Sequence, residues 1–236
     1  LSVIQPFRGF PKQGLQFLKE LAANNNRAWF LAHKAEYESY LLNPAVAFVT
    51  ALGAKLQSIS PGIHVDPRSS GSGNLMRFHR DTRFSADKSP YKTAIAGMFW
   101  EGPGKKTQSP AFGFHMEAAS MDLMAGIFMF SKPLLAAYRQ AVVDEGRGLA
   151  LEAALRSVAQ AGDYKISGEH YKRVPRDFDA EHPRADLLRY NALYASSPQI
   201  GPDALTTPDL VDLCFEHLRS IAPLQQWLVQ VSQAVE

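Results

Sequence analysis

The sequence predicts a single α+β domain in which a central, mostly antiparallel sheet of about four or five strands is covered by N-terminal and C-terminal helices. Three observations predict it. Apolar residues recur at helical spacing before residue 57 and again after residue 132, and the pattern changes to alternation between 75 and 130. No repeat, linker or low-complexity tract divides residues 1–236. With 46% hydrophobic and 20% charged residues, the chain has the balance of a globular protein, not of a disordered one.

The first helix is expected after Pro11, where Leu15, Leu18 and Ala22 form a short apolar stripe, and Asn24, Asn25 and Asn26 supply a stop followed by N-cap candidates. A longer helix is predicted over 27–41, with Phe30, Tyr37 and Leu41 on one side and Trp29, Ala32 and Tyr40 nearby. Asn43 and Pro44 then read as the N-cap and first residue of a helix carried by Val49, Leu52 and Leu56 and ended by Ser60, Pro61 and Gly62. In 75–80, Met76 and Phe78 oppose Arg77 and His79 as in a half-buried strand. Strands are also predicted at 93–100, 111–116 and 122–130, the first two joined by a turn over 101–107 with a basic tip. Helices are expected at 133–143, at 148–161 with Gly162 as the stop, and at 185–193. Thr207 and Pro208 open a last helix through Leu210, Leu213, Cys214, His217, Leu218 and Ile221. Pro223 is predicted to break or kink it before Leu224, Trp227, Leu228 and Val231.

Several function classes recede on composition. A net charge of +2, from 25 Lys and Arg against 23 Asp and Glu, is too small to mark a nucleic-acid binder. The single Cys214 excludes an intramolecular disulfide, and its apolar neighbours suggest a buried, inert thiol. The most apolar stretches, 41–56 and 116–130, contain Asn43, Pro44, Lys55, Glu117 and Asp122, so no membrane association is expected. The first residues, with Arg8 and Lys12, lack a signal peptide's apolar core and cleavage site, and a cytoplasmic location is the expectation.

Charge is concentrated in one window. Residues 77–92 hold five cations (Arg77, Arg80, Arg83, Lys88, Lys92) against Asp81 and Asp87, a local +3; the other 220 residues therefore hold 20 cations and 21 carboxylates. Guanidinium forks gathered by a strand end and a turn suit phosphate or carboxylate. Asp81 and Asp87 either orient those arginines or neutralise them in a salt-bridged surface loop.

The run Arg80, Asp81, Thr82, Arg83, Phe84, Ser85, Ala86, Asp87, Lys88, Ser89, Pro90, Tyr91, Lys92, Thr93 resembles the signature of the DUF2461 family of uncharacterised bacterial and fungal proteins. Asn25, Asn26, Arg27, Trp29 and Phe30, followed by Tyr37 and Pro44, are similar to its N-terminal motif. Tyr171, Lys172, Arg173, Val174, Pro175, then Phe178, Asp179, His182, Pro183, Leu187 and Leu188, resemble its C-terminal motif. The resemblance spans roughly residues 10–227. Asp177 stands where the family usually has Gly, and Asn191 where Lys is common; 121–130 keeps Gly126 but ends in Phe128 and Phe130 instead of a Trp-x-Pro pattern. The resemblance implies one domain whose motifs form a unit, and names no reaction.

Together these pieces suggest one pocket: Asn26, Arg27 and Trp29 at a helix start, Arg80, Asp81, Arg83, Asp87, Lys88, Tyr91 and Lys92 from the turn, and Lys172 and Arg173 from a later loop. A helix N-terminus adds free N–H groups for an anion, and Trp29 and Tyr91 offer flat faces. The competing account packs Trp29 and Phe30 in the core, ties Arg27 to Asp81 or Asp87 and leaves Lys172 in solvent.

Enzyme motifs do not match. Gly102, Pro103, Gly104, Lys105, Lys106, Thr107 lacks the phosphate-loop spacing, His79, Arg80, Asp81 lacks the other kinase elements, and Ser70, Gly71, Ser72, Gly73 lacks a nucleophile frame. His79, His115, Glu117 and Asp122 would hold a metal only if strand pairing brought them together. His170 and His182 flank the Lys-Arg motif as candidate acid–base groups, with a stacking or capping role favoured for His182 beside Pro183; His33 and Glu36 read as helix-surface or packing residues. No cofactor, oligomeric state or reaction is identified. The leading expectation is a small phosphate- or carboxylate-bearing ligand held by Arg80, Arg83, Lys88 and Lys92. The alternatives are nucleic acid, with Arg77, Arg83, Lys105 and Lys106 on phosphates and Trp29 or Tyr91 stacking on bases, and a structural or partner-binding module with an internal Arg–Asp network.

Overall fold

The computed structural model describes residues 5–234. Helix α1 (Lys12–Ala23) buries Leu15, Phe17, Leu18 and Leu21, whereas Ala22 of the expected stripe faces solvent. Asn24 closes α1, and Asn26 caps α2 (Arg27–Ala32) by accepting the Trp29 N–H at 3.0 Å. The single helix expected over 27–41 is instead three pieces. After His33 come the short α3 (Lys34–Glu36) and a π-helical stretch, Tyr37–Leu42, that runs directly into α4 (Asn43–Leu56). Aromatic packing accounts for the rewinding: Tyr37 lies against Phe78 at 4.7 Å, Phe30 at 5.3 Å and Phe17 at 6.0 Å, while Leu41 enters the core. Because Leu42 is already helical, Asn43 caps nothing, and Pro44, in the first turn of α4, cannot donate back to the π-helical turn that precedes it. Gly14 lets α1 approach this stretch, since a Cβ there would stand 2.2 Å from the Tyr40 carbonyl oxygen.

The sheet has five strands, β1 (Ile95–Trp100), β2 (Ala111–Met116), β3 (Met121–Ile127), β4 (Lys165–Glu169) and β5 (Tyr190–Ser196). Their order is β1-β2-β3-β5-β4, and every pairing is antiparallel. One face presents Phe99, Phe112, Phe114, Leu123, Ile127 and Leu193 to α4 and the C-terminal helix. The other, with Ala96, Trp100, His115, Asp122 and Tyr194, is partly open to solvent.

Two expectations are corrected. Segment 75–80 is extended but is not a ladder strand: it bridges β1 at Leu75↔Gly97, then leaves to pair with 90–92 through His79↔Tyr91. The segment 185–193 is not a helix; a 3₁₀ turn (Ala185–Arg189) leads into β5, where Leu193 and Ala195 alternate into the core. Strand β4, short and polar, escapes a pattern search because it forms the sheet edge and carries a bulge between Ser167 and Glu169.

Helix α5 (Lys132–Val143) is capped by Ser131, and α6 (Glu145–Ala161), capped by Asp144, stops at Gly162. After the short α7 (Pro202–Leu205), α8 (Leu210–Gln233) runs 24 residues without a break at Pro223. Burial overrides the lost hydrogen bond: Leu218, Ile221 and Ala222 before the proline and Leu224, Trp227 and Leu228 after it all enter the core. Cys214 is buried beside Met121, its Sγ 3.6 Å from the thioether. Among the described residues no helix is long and apolar enough to cross a membrane.

Candidate functional site

The loop between Phe78 and Lys92 is closed at its root by backbone bonds: Arg80 N–H donates to the Pro90 carbonyl and Lys92 N–H to that of Phe78, both at 2.9 Å. Across the same root the Arg80 guanidinium pairs with Asp87. Asp87 also accepts from the Ser89 hydroxyl at 2.6 Å and the Ser89 N–H at 2.9 Å. These Ser89 bonds, reinforced by Arg80, hold its carboxyl well below the usual carboxylate range.

Asn25, the residue between two helices, fixes the loop to the helical layer. Its side-chain amide donates to the Tyr91 carbonyl at 2.9 Å and accepts the Tyr91 N–H at 3.1 Å, a two-point clasp across 66 residues. Tyr91 is only 4% exposed and stacks on Phe30 at 4.1 Å.

Above this clasp lies a hollow of about 480 Å³. Arg80, Asp87 and Ser89 form one wall, Asn25 and Ala22 another, and Lys92 to Ala94 with Ala96 the entry to β1; His115 and Glu117 close it from the end of β2. Lys92 is half-buried, and burial lowers the pKa of its ammonium. Among the described residues it has no carboxylate partner.

Four of the residues expected from sequence therefore meet here: Arg80, Asp87, Tyr91 and Lys92. The others do not line the hollow. Asp81 and Arg83 form a two-point ion pair at 2.7 and 3.0 Å in open solvent, and Lys88 donates to the Thr82 carbonyl at 2.9 Å. They share the loop tip with Phe84, which is 96% exposed. Asn26 is spent on its cap, and Arg27 is exposed without pairing to Asp81 or Asp87, whose partners are Arg83 and Arg80. Trp29 stacks on His33 at 4.1 Å and leans on Phe17. Lys172 and Arg173 lie exposed beyond β4.

Trp29 and Tyr91, the rings expected to stack on bases, are thus packed internally, and Lys106, instead of reaching out, donates to the Gly71 and Gly73 carbonyls at 2.7 Å each. His115 stands opposite Asp122 across β2 and β3, but among the described residues no three His, Cys, Asp or Glu side chains gather closely enough to hold a metal. His182 accepts the Arg184 N–H at 3.1 Å and so shapes its own turn.

The sequence expectation omitted Asn25, Ser89 and Thr93 from the site and weighed His115 and Glu117 only as metal ligands. A family described as conserved hypothetical protein (DUF2461) matches residues 13–227. The chain belongs to the DUF2461 family. All residues of the hollow, from Ala22 to Glu117, fall inside that DUF2461 match. Comparison with curated proteins finds no match.

Proposed function

We propose that this DUF2461 protein binds a small anionic ligand, carrying a carboxylate or phosphate, in the hollow between the Arg80–Asp87 clasp and the ends of β1 and β2. One observation carries the reading: Lys92 is a half-buried ammonium lining a concave, polar site, with no carboxylate partner among the described residues. A charge kept partly out of water without a partner costs stability, and an anion from solution would repay that cost. Arg80, held at the same wall by Asp87 and carrying further N–H donors, would add hydrogen bonds to such a group.

A thermal-shift panel of inorganic phosphate, nucleotides and small organic acids tests this. At about a hundred times its dissociation constant, a true ligand stabilises by roughly 2.7 kcal/mol. For a chain of this length that is a rise of about 5–10 °C in Tm. The shift should vanish in Lys92→Met and persist in Arg83→Ala, because Arg83 lies outside the hollow. A panel without any shift, or a shift unchanged by Lys92→Met, overturns the proposal.

A further inference from the structure

Four formally charged side chains line the hollow, two of each sign: Arg80 and Lys92, Asp87 and Glu117. Arg80 and Asp87 neutralise each other at the loop root. Lys92 and Glu117 are left. They do not pair with one another, nor with any other charged side chain among the described residues. Both come to the same face of the sheet: Ala96 stands opposite His115, Glu117 lies two residues beyond His115 as the chain leaves β2, and Lys92 lies four residues before Ala96 in the stretch that leads into β1.

Most of the remaining wall is small or already engaged. Ala22, Ala94 and Ala96 offer methyl groups only, the Asn25 amide is committed to the Tyr91 backbone, and the Ser89 hydroxyl donates to Asp87. What remains to recognise a ligand is an ammonium, a carboxylate, the Arg80 N–H donors not spent on Asp87, the Thr93 hydroxyl and the His115 ring.

Resting on the anion-binding reading above, we propose that the ligand is a small zwitterion, an amino acid or close analogue, whose carboxylate meets Lys92 and whose ammonium meets Glu117. Two opposite charges that line one solvated hollow without an ion pair between them are both satisfied by a molecule carrying both signs. A phosphate dianion satisfies Lys92 and is repelled by Glu117, so the same wall selects against it. The lining residues themselves sum to zero formal charge with His115 neutral, while Lys106 acts on Lys92 from outside them.

Calorimetric titration of the full chain at pH 7 tests this with glycine, β-alanine and 4-aminobutyrate, each beside its amine-free counterpart, acetate, propionate and butyrate, and with inorganic phosphate. At least one amino acid is expected to bind ten-fold or more tightly than its counterpart. Glu117→Gln should erase that ratio while leaving the weaker carboxylate binding, and Lys92→Met should remove both; circular dichroism checks that the two variants fold. If the counterparts or phosphate bind as tightly as every amino acid, or if Glu117→Gln keeps the ratio, the zwitterion inference falls and the anion reading stands. If no probe binds, both fall.

Discussion

Asn25 and Asn26 are adjacent residues with the same side chain and different tasks. Asn26 satisfies one free N–H at the start of α2, a cap of the kind whose loss costs about 1 kcal/mol. Asn25 satisfies both backbone groups of Tyr91, and cutting it back strands a part-buried donor and acceptor together. Asn25→Ala is therefore expected to cost about 2 kcal/mol in urea denaturation, more than Asn26→Ala, and to weaken whatever the hollow binds; equal costs would count against the clasp. For Lys92 the sign of the pH dependence follows from burial, which lowers its pKa from 10.5 in the folded chain. Between the lowered and the ordinary value the unfolded chain binds more protons, so stability climbs with pH across that window, and below it the charged form is a burden. Lys92→Met should be more stable than the parent at pH 7, with the margin shrinking as pH approaches 10.5. A margin that widens with pH would contradict the desolvation. The charge excess of 77–92 located the hollow in the sequence, but not which cations enter it. Asp81 lies two residues from Arg83 and draws it outward, while Asp87 lies seven from Arg80 and holds it at the wall. Asn25 stood out only as a cap candidate and a member of the N-terminal motif, and its clasp stayed hidden because its partner is a backbone 66 residues away.

Helices and strands were legible wherever one period ran without interruption, as in 111–116, 133–143 and 148–161, which correspond to β2, α5 and α6. They were misread where tertiary contacts reset the period. Tyr37 rewinds its helix to reach three aromatic rings, 185–193 divides between a 3₁₀ turn and a strand, and the core carries α8 past Pro223. Gly126 shows how tightly β3 and β5 are joined. Its φ is +140°, and a Cβ there would lie 2.2 Å from the Leu193 carbonyl oxygen and 2.6 Å from the Tyr194 Cα. Backbone, not a flexible side chain, would have to move. Gly126→Ala should cost roughly 2–4 kcal/mol in thermal or urea unfolding. Gly146→Ala, in the first turn of α6 with its nearest contact 3.7 Å away, should instead gain a few tenths up to about 1 kcal/mol. Similar costs for the two would show that β5 can shift to accommodate a methyl group.

The hollow is assembled from the end of α1, the 80–92 loop and the ends of β1 and β2, so its geometry exists only when the helical and sheet layers are locked together. One continuous core does this. Phe48 of α4 meets Phe114 of β2 edge-on at 5.1 Å, and Tyr138 of α5 meets Trp227 of α8 at 6.0 Å. Chains longer than about 150 residues often unfold in stages. Here, among the described residues, one apolar cluster runs through the N-terminal helices, the sheet and α8, which favours a single transition. Cys214 reports on this directly, because it is buried between α8 and β3 and burial pushes its thiol pKa far up, so that it reacts only when α8 opens. Two of the tryptophans report from elsewhere, Trp29 from α2 and Trp100 from β1, while Trp227 shares α8 with Cys214. Thiol labelling across a urea series should therefore give the same midpoint and the same unfolding free energy as tryptophan fluorescence. Labelling that begins at clearly lower urea would mean that α8 detaches first, leaving the sheet and N-terminal helices as a separate cooperative unit.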